Sequence, residues 1–222
     1  MSFREERAAE RRLNILKAAA KLFSEKGYHD ATVEEIAREL KYTKGSIYYY
    51  INSKQDLLFQ CHDLAMNLLL DNVNKITATG LPPDQMLKEI IKSHIETLIS
   101  EFNLITVTLS SDYELEESYA EIIIEKRDMY ENFIVGIIKK GISQGVFRQV
   151  PVKVVINLVM GAANWIGRWF SPDGPMTMQE IAQFYADYLV EPLLLKGPHS
   201  MNCHCEERSD VAISDPKAAT PK

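Results

Sequence analysis

The densest run of groups able to make polar contacts is Thr43-Lys44-Gly45-Ser46-Ile47-Tyr48-Tyr49-Tyr50, in which only Ile47 is aliphatic. Small and polar residues at the start of a helix let its backbone approach base edges, while the terminal amides face phosphate. Lys44 supplies charge, Gly45 permits close approach, and tyrosine hydroxyls can reach phosphate oxygens. Three successive tyrosines cannot all face one way, so at least one packs against neighbouring helices. The chemistry implied is contact with nucleic acid.

Other candidate groups carry less. Arg168 stands between Trp165 and Trp169. It can stack on them, or pair with a phosphate or carboxylate. Equally, it can tie its helix to a neighbour while the tryptophans fill the core. His62, His94 and Cys61 invite a metal reading, but no H-x-x-x-H or C-x-x-C spacing supports one. Both histidines are therefore expected on helix surfaces. His199, Cys203, His204 and Cys205 crowd into a segment with no helical stripe, and no metal is expected there. There is no G-x-G-x-x-G, Walker loop or G-x-S-x-G, and no E-x-x-H pair of the kind a helical-bundle enzyme would need. No enzyme activity and no cofactor are expected.

The elements that must hold the polar run are helical. Leu13, Leu16, Ala20 and Phe23 recur at steps of three and four, and Gly27 ends that helix. Thr32-Val33-Glu34-Glu35 is a capping box opening a short helix with Ile36, Ala37 and Leu40 on its apolar side. A break of about three residues leads to Thr43, a second N-cap. Ser53, with Asp56 at the reciprocal position, opens a long helix that ends near Gly80-Leu81-Pro82-Pro83. Beyond it the pattern predicts helices at about 83–100, 102–110, 116–144, 151–170 and 177–195. The fold class is all-α: a helix-turn-helix unit over 1–52, an antiparallel helical bundle over 53–196, and a disordered tail over 197–222.

The 222-residue chain has a net charge of −6, which argues against a protein coating nucleic acid over its whole surface. The charge is unevenly placed. Residues 1–54 hold eleven Lys and Arg against eight Asp and Glu, leaving −9 on the remainder. Three cysteines make no disulfide framework, and the N-terminus has no apolar signal region. The longest uncharged apolar stretch, 154–167, is too short for a membrane span. A cytoplasmic location without membrane contact is expected.

Residues 15–58, ILKAAAKLFSEKGYHDATVEEIARELKYTKGSIYYYINSKQDLL, resemble the tetracycline-repressor (TetR) family of transcriptional regulators. The likeness rests on F-x-x-x-G-Y, T-x-x-x-I-A, G-x-I-Y-x-Y and S-K-x-x-L at fixed separations. It implies an N-terminal DNA-binding domain and a C-terminal domain that dimerises and binds a small effector. By position, it implies that Thr32 caps near the DNA backbone and that Thr43, Lys44, Gly45 and Ser46 lie at the groove. Tyr48, Tyr49 and Lys54 would lie near phosphate, with Tyr50 where a base-contacting His is common. Double-stranded operator DNA is the implied partner, repression the usual mode.

Asn164-Trp165-Ile166-Gly167-Arg168-Trp169-Phe170-Ser171-Pro172-Asp173-Gly174 resembles a stretch in TetR-type regulators of fatty-acid, steroid and aromatic-acid degradation, several of which respond to acyl-CoA thioesters. That resemblance implies an acyl-CoA or fatty-acid effector. The candidate lining is Met66, Leu69, Leu70, Ile95, Leu98, Leu109, Tyr113, Tyr130, Phe133, Asn164 and Arg168, most of which could equally be plain core. Small residues Gly161, Ala162 and Ala163, with Phe184, Tyr185, Tyr188 and Leu189, suit a four-helix homodimer interface. The rival reading is a DNA binder of the same type governed by a partner protein instead of a small molecule.

Overall fold

The computed structural model describes residues 3–110 and 114–195. Tyr113 and the segment read as a tail, 197–222, lie outside the described residues. Nine α-helices are described: α1 Phe3–Lys26, α2 Val33–Glu39, α3 Lys44–Tyr48, α4 Lys54–Thr77, α5 Pro83–Ser100, α6 Phe102–Ser110, α7 Glu117–Ser143, α8 Val152–Trp169 and α9 Met178–Val190. A short 3-10 turn, Glu191–Leu193, follows α9. No strand occurs among the described residues. An isolated bridge pairs Phe147 with Leu194, tying the α7–α8 connection to the end of α9.

Local side-chain chemistry sets the starts of these helices. Thr32 accepts from the Glu35 amide and Glu35 returns to the Thr32 amide, completing the capping box. Thr177 and Glu180 form the same box on α9. Each such cap contributes about 1 kcal/mol. Ser53 accepts from the Asp56 amide, but the Asp56 carboxylate reaches past the cap to the Asn52 backbone N–H at 2.7 Å. The expected reciprocal bond is thus displaced by one residue. Gly27, at φ +82, closes α1 in the left-handed conformation that glycine adopts without strain.

The turn between α2 and α3 contains Lys41 at φ +57, an unusual conformation for a residue with a Cβ. The Tyr42 amide donates to the Ala37 carbonyl at 2.8 Å across this turn. Ile47, fully buried, is the apolar anchor of α3. Its burial stabilises the docked helix by roughly 1.5–3 kcal/mol.

In the bundle, α5 packs against α4, α7, α8 and α9, while α1 packs against α2, α4 and α6. One continuous buried cluster includes Ile15, Ile36 and Ile47 of the head and Leu87, Ile138, Ile156 and Val190 of the body. The start of α4 belongs to both. Cys61 contacts the Leu16 carbonyl at 3.5 Å, and Arg12 donates to Gln60 at 2.9 Å. Ser24 donates to Asn103 at 2.9 Å and Lys17 pairs with Glu101, the residue between α5 and α6, at 2.9 Å, fastening α1 to the start of α6. At Gly141 on α7, a Cβ would lie 2.1 Å from the buried Phe147 ring, so only glycine lets that ring pack there.

Two expectations fail. His62 is fully buried and His94 is 5% exposed, so neither is a helix-surface histidine. Trp165 is 64% exposed and Trp169 is also exposed, so the tryptophans do not fill the core. Amphipathic spacing shows that a helix has an apolar face; it does not show whether that face meets its own bundle.

Candidate nucleic-acid interface and effector cavity

α3 presents an outward face made of the residues singled out in sequence. Thr43 accepts from the Ser46 amide at 3.1 Å, and the two hydroxyls are bonded at 2.8 Å. Lys44, Gly45, Ser46, Tyr48 and Tyr49 are all exposed. A Cβ added at Gly45 would meet nothing within 4 Å. No packing among the described residues therefore requires glycine there, and the open space lies on the outside of α3. Tyr49 is 82% exposed, whereas Tyr50 packs against the core, its ring edge-on to Tyr49 at 5.1 Å. The tyrosine triplet is thus divided between surface and core.

The flanking residues are placed differently. Lys44 is paired with Glu34 of α2 and sits 5.7 Å from the Tyr48 ring centroid. The hydrogen bond between them holds the ammonium above its ordinary pKa and the carboxyl below its own. Both side chains are about half exposed, 54% and 50%, so the pair can open to a stronger anion at little cost. The Thr32 hydroxyl is engaged within its own capping box. Lys54 donates to the His29 carbonyl at 3.0 Å and lies 4.5 Å from the Tyr28 ring centroid. It pins the α1–α2 loop to the start of α4. Arg4, Arg7 and Arg11 of α1 face α3 across a concavity of about 730 Å³ also lined by Thr43, Gly45, Ser46, Tyr49 and Tyr50. Sequence reasoning passed over these arginines, although their three- and four-residue spacing is visible.

Within the bundle two hollows meet. The inner one, about 250 Å³, is lined by Met66, Leu69, Ile105, Leu109 and Met160, with His94, Thr108, Arg127, Tyr130, Glu131 and Asn164. The outer one, about 390 Å³, is lined by Ser24, Leu98, Phe102, Thr106, Ser110, Gly167 and Arg168. Ile105, Leu109 and Asn164 line both. Gly167 sits against Leu98: a Cβ there would stand 3.3 Å from its side chain.

At the junction is a buried polar chain. His94 Nδ1 lies 3.1 Å from the Tyr130 hydroxyl and Nε2 lies 2.9 Å from Asn164 Oδ1. Burial pushes the His94 pKa down, partly opposed by the Asn164 bond, and burial pushes the Tyr130 phenol up. Both are neutral near pH 7. Neutral His94 must donate from Nε2 to the amide oxygen, so Nδ1 accepts from the Tyr130 hydroxyl. Asn164 is left with its NH2 group as a donor beside both hollows.

Of the residues named from sequence, Met66, Leu69, Leu98, Leu109, Tyr130, Asn164 and Arg168 line one hollow or both. Leu70 and Ile95 are buried core and Phe133 packs against it, outside both linings. His94, Met160, Thr108 and Arg127 were not foreseen. His94 carried a signal, since it lies four residues from Ile90 and Leu98 on a buried face.

α8 and α9 carry an exposed apolar strip that no other described residue covers. Val154, Leu158, Trp165 and Trp169 are exposed along α8 at helical spacing, with Gly161 among them. Phe184 and the 70% exposed Tyr188 stack at 4.7 Å on α9. Tyr185 turns inward against the core, so it does not share this strip. Ala163 is likewise buried.

The head matches the family model "Bacterial regulatory proteins, tetR family" over residues 15–61, and the body matches "Tetracyclin repressor-like, C-terminal domain" over residues 80–193. The chain belongs to the TetR family of transcriptional regulators. HTH-type transcriptional repressor KstR2 of Rhodococcus jostii is 24% identical over 197 residues, covering 86% of this chain and 93% of its own. The TetR-family regulator PfmR of Thermus thermophilus superimposes with a TM-score of 0.74 at 32% identity, over 80% of this chain and 97% of its own. AibR, solved in complex with isovaleryl coenzyme A and operator DNA, gives a TM-score of 0.74 at 26% identity, over 81% and 98%. These relatives are transcriptional regulators. Among the described residues of this TetR-family chain, no group of three or more His, Cys, Asp and Glu side chains could hold a metal. No helix there is long and apolar enough to cross a membrane.

Proposed function

We propose that this TetR-family protein is a homodimeric repressor that binds a palindromic operator through α3 and is released by a small amphiphilic effector of the acyl-CoA or fatty-acid type. The observation that carries the effector reading is the meeting of an apolar chamber and a more polar, arginine-rimmed hollow at Asn164. An acyl thioester has the same two halves, an apolar chain and an anionic head. Its carbonyl oxygen suits the donor left on Asn164. The inner chamber, about 250 Å³, fits a short acyl chain better than a long one. AibR, with its isovaleryl coenzyme A, supports the same class.

The exposed strip on α8 and α9 supports the dimer. Burying Leu158, Trp165, Phe184 and Tyr188 against their symmetry copies would remove a large apolar surface from water. Two copies of α3 would then read half-sites about one helical turn, roughly 34 Å, apart or a multiple of it. α6 lines both hollows, and its start is fastened to α1 through the Ser24–Asn103 and Lys17–Glu101 contacts. A ligand that moves α6 would therefore move the head, with α4 as the second connection.

Thermal-shift titration with a chain-length series of acyl-CoAs, free CoA and fatty acids tests this, followed by gel retardation on the DNA upstream of its own gene. A ligand at 100 times its Kd adds about 2.7 kcal/mol. For a chain of this size that raises Tm by roughly 5–10 °C. The same ligand should release the DNA. Retardation by the protein with no stabilisation by any of these compounds favours a partner-governed regulator; no retardation at low salt removes the operator reading.

A further inference from the structure

We propose that the first three turns of α1 form a second DNA-contacting element, in which Arg4, Arg7 and Arg11 hold phosphates of an operator strand seated in the trough between α1 and α3. The proposal rests on the reading that α3 meets DNA.

The head's core gives this segment no reason to exist. The buried residues of α1 begin at Ile15, while every residue from Phe3 to Asn14 is exposed except half-buried Ala8. Twelve helical residues rise about 18 Å, so α1 runs that far before its first buried residue, touching α4 through the Arg12–Gln60 bond. At 100° per residue, the three arginines fall within an arc of about 60°. Glu5, Glu6 and Glu10 lie outside that arc. The stripe faces the exposed side of α3 across the concavity of about 730 Å³, whose far wall includes Gly45, Ser46 and Tyr49. One wall is thus cationic and the other carries hydroxyls and open backbone.

The guanidinium of Arg7 is held 4.5 Å above the Phe3 ring, which restricts it without neutralising it. The Arg12 side chain, by contrast, is taken by Gln60 and braces this segment against α4. From Arg4 to Arg11 the helix rises about 10.5 Å, close to three phosphate steps at about 3.4 Å of duplex axis per step on each strand. Guanidinium forks match phosphate oxygens, and such contacts position the protein without reading sequence.

The test compares the full-length chain with R4A/R7A/R11A and with R4K/R7K/R11K, on its own upstream DNA and on a 30-base-pair mixed-sequence duplex, over a salt series. Alanine preserves the helix, and all three sites are exposed, so Tm and helicity should be unchanged. The alanine triple should lose at least tenfold in affinity for both duplexes at moderate salt. Its log–log salt slope should fall by about 0.9 per phosphate contact, or two to three per protomer. The lysine triple should keep most of the slope. A wild-type slope in the alanine triple overturns the proposal and leaves the α3 reading intact. If wild-type protein retards neither duplex, the α3 reading itself fails.

Discussion

Acidification should weaken the folded protein through His94 in a way that one substitution removes. The ring is buried between Tyr130 and Asn164, and burial holds its pKa below the ordinary histidine value. In the unfolded chain it titrates near 6.5. Below that pH the unfolded chain takes a proton that the folded chain refuses, so stability is full above about pH 6.5 and falls as pH drops toward the folded pKa. For one such group the loss between pH 7.5 and 5.5 cannot exceed about 1.4 kcal/mol. With a urea m-value of roughly 1–3 kcal/mol/M, the midpoint moves by up to about 0.5–1.4 M. The control is His94→Gln, which can still accept from Tyr130 and donate to Asn164 but cannot ionise. Urea curves at pH 7.5, 6.5 and 5.5, at fixed protein concentration, should converge for wild type and variant as pH falls. Parallel losses would refute the reasoning: His94 would then protonate as readily in the fold as outside it.

Gly45→Leu should cut operator affinity at least tenfold while leaving Tm within about 1 °C, because nothing among the described residues stands within 4 Å of the new Cβ; retained gel retardation would show that α3 does not approach DNA closely. Lys54→Ala should lower the salt slope by about one if the lysine meets phosphate. It should also loosen the α1–α2 loop through loss of the His29 carbonyl bond, read as faster amide exchange there. Gly141→Ala should destabilise by about 1–2 kcal/mol in urea unfolding, since the methyl collides with Phe147 and the helix-propensity gain only partly offsets it. Leu158→Glu combined with Tyr188→Glu should convert a dimer to a monomer by light scattering, and an unchanged mass would place the interface elsewhere.

The boundaries of the helices were legible because caps are local chemistry. Thr32 with Glu35, Thr43 with Ser46 and Ser53 with Asp56 sit within four residues of one another, and their geometry needs nothing distant. The outward face of α3 was legible for a related reason: a helix with one aliphatic residue has one anchored side. The cavity was much less so. Periodicity assigns Met66, Leu70, Ile95 and Phe133 alike to apolar faces, yet only Met66 borders a gap. Whether two apolar faces close on each other or leave a hollow depends on side chains from four or five helices at once.

By itself, then, the order of residues determined an all-α chain, the capped helix-turn-helix around Gly45 and the +3 head on a −9 body. These follow from interactions a few residues long. Only the tertiary structure decided that Trp165 and Trp169 face outward, that His94 is buried between Tyr130 and Asn164, and that Arg4, Arg7 and Arg11 share a trough with α3. The last two of those facts join residues 30 or more positions apart, and the first turns on which face of α8 meets the bundle; both are set by how whole helices pack.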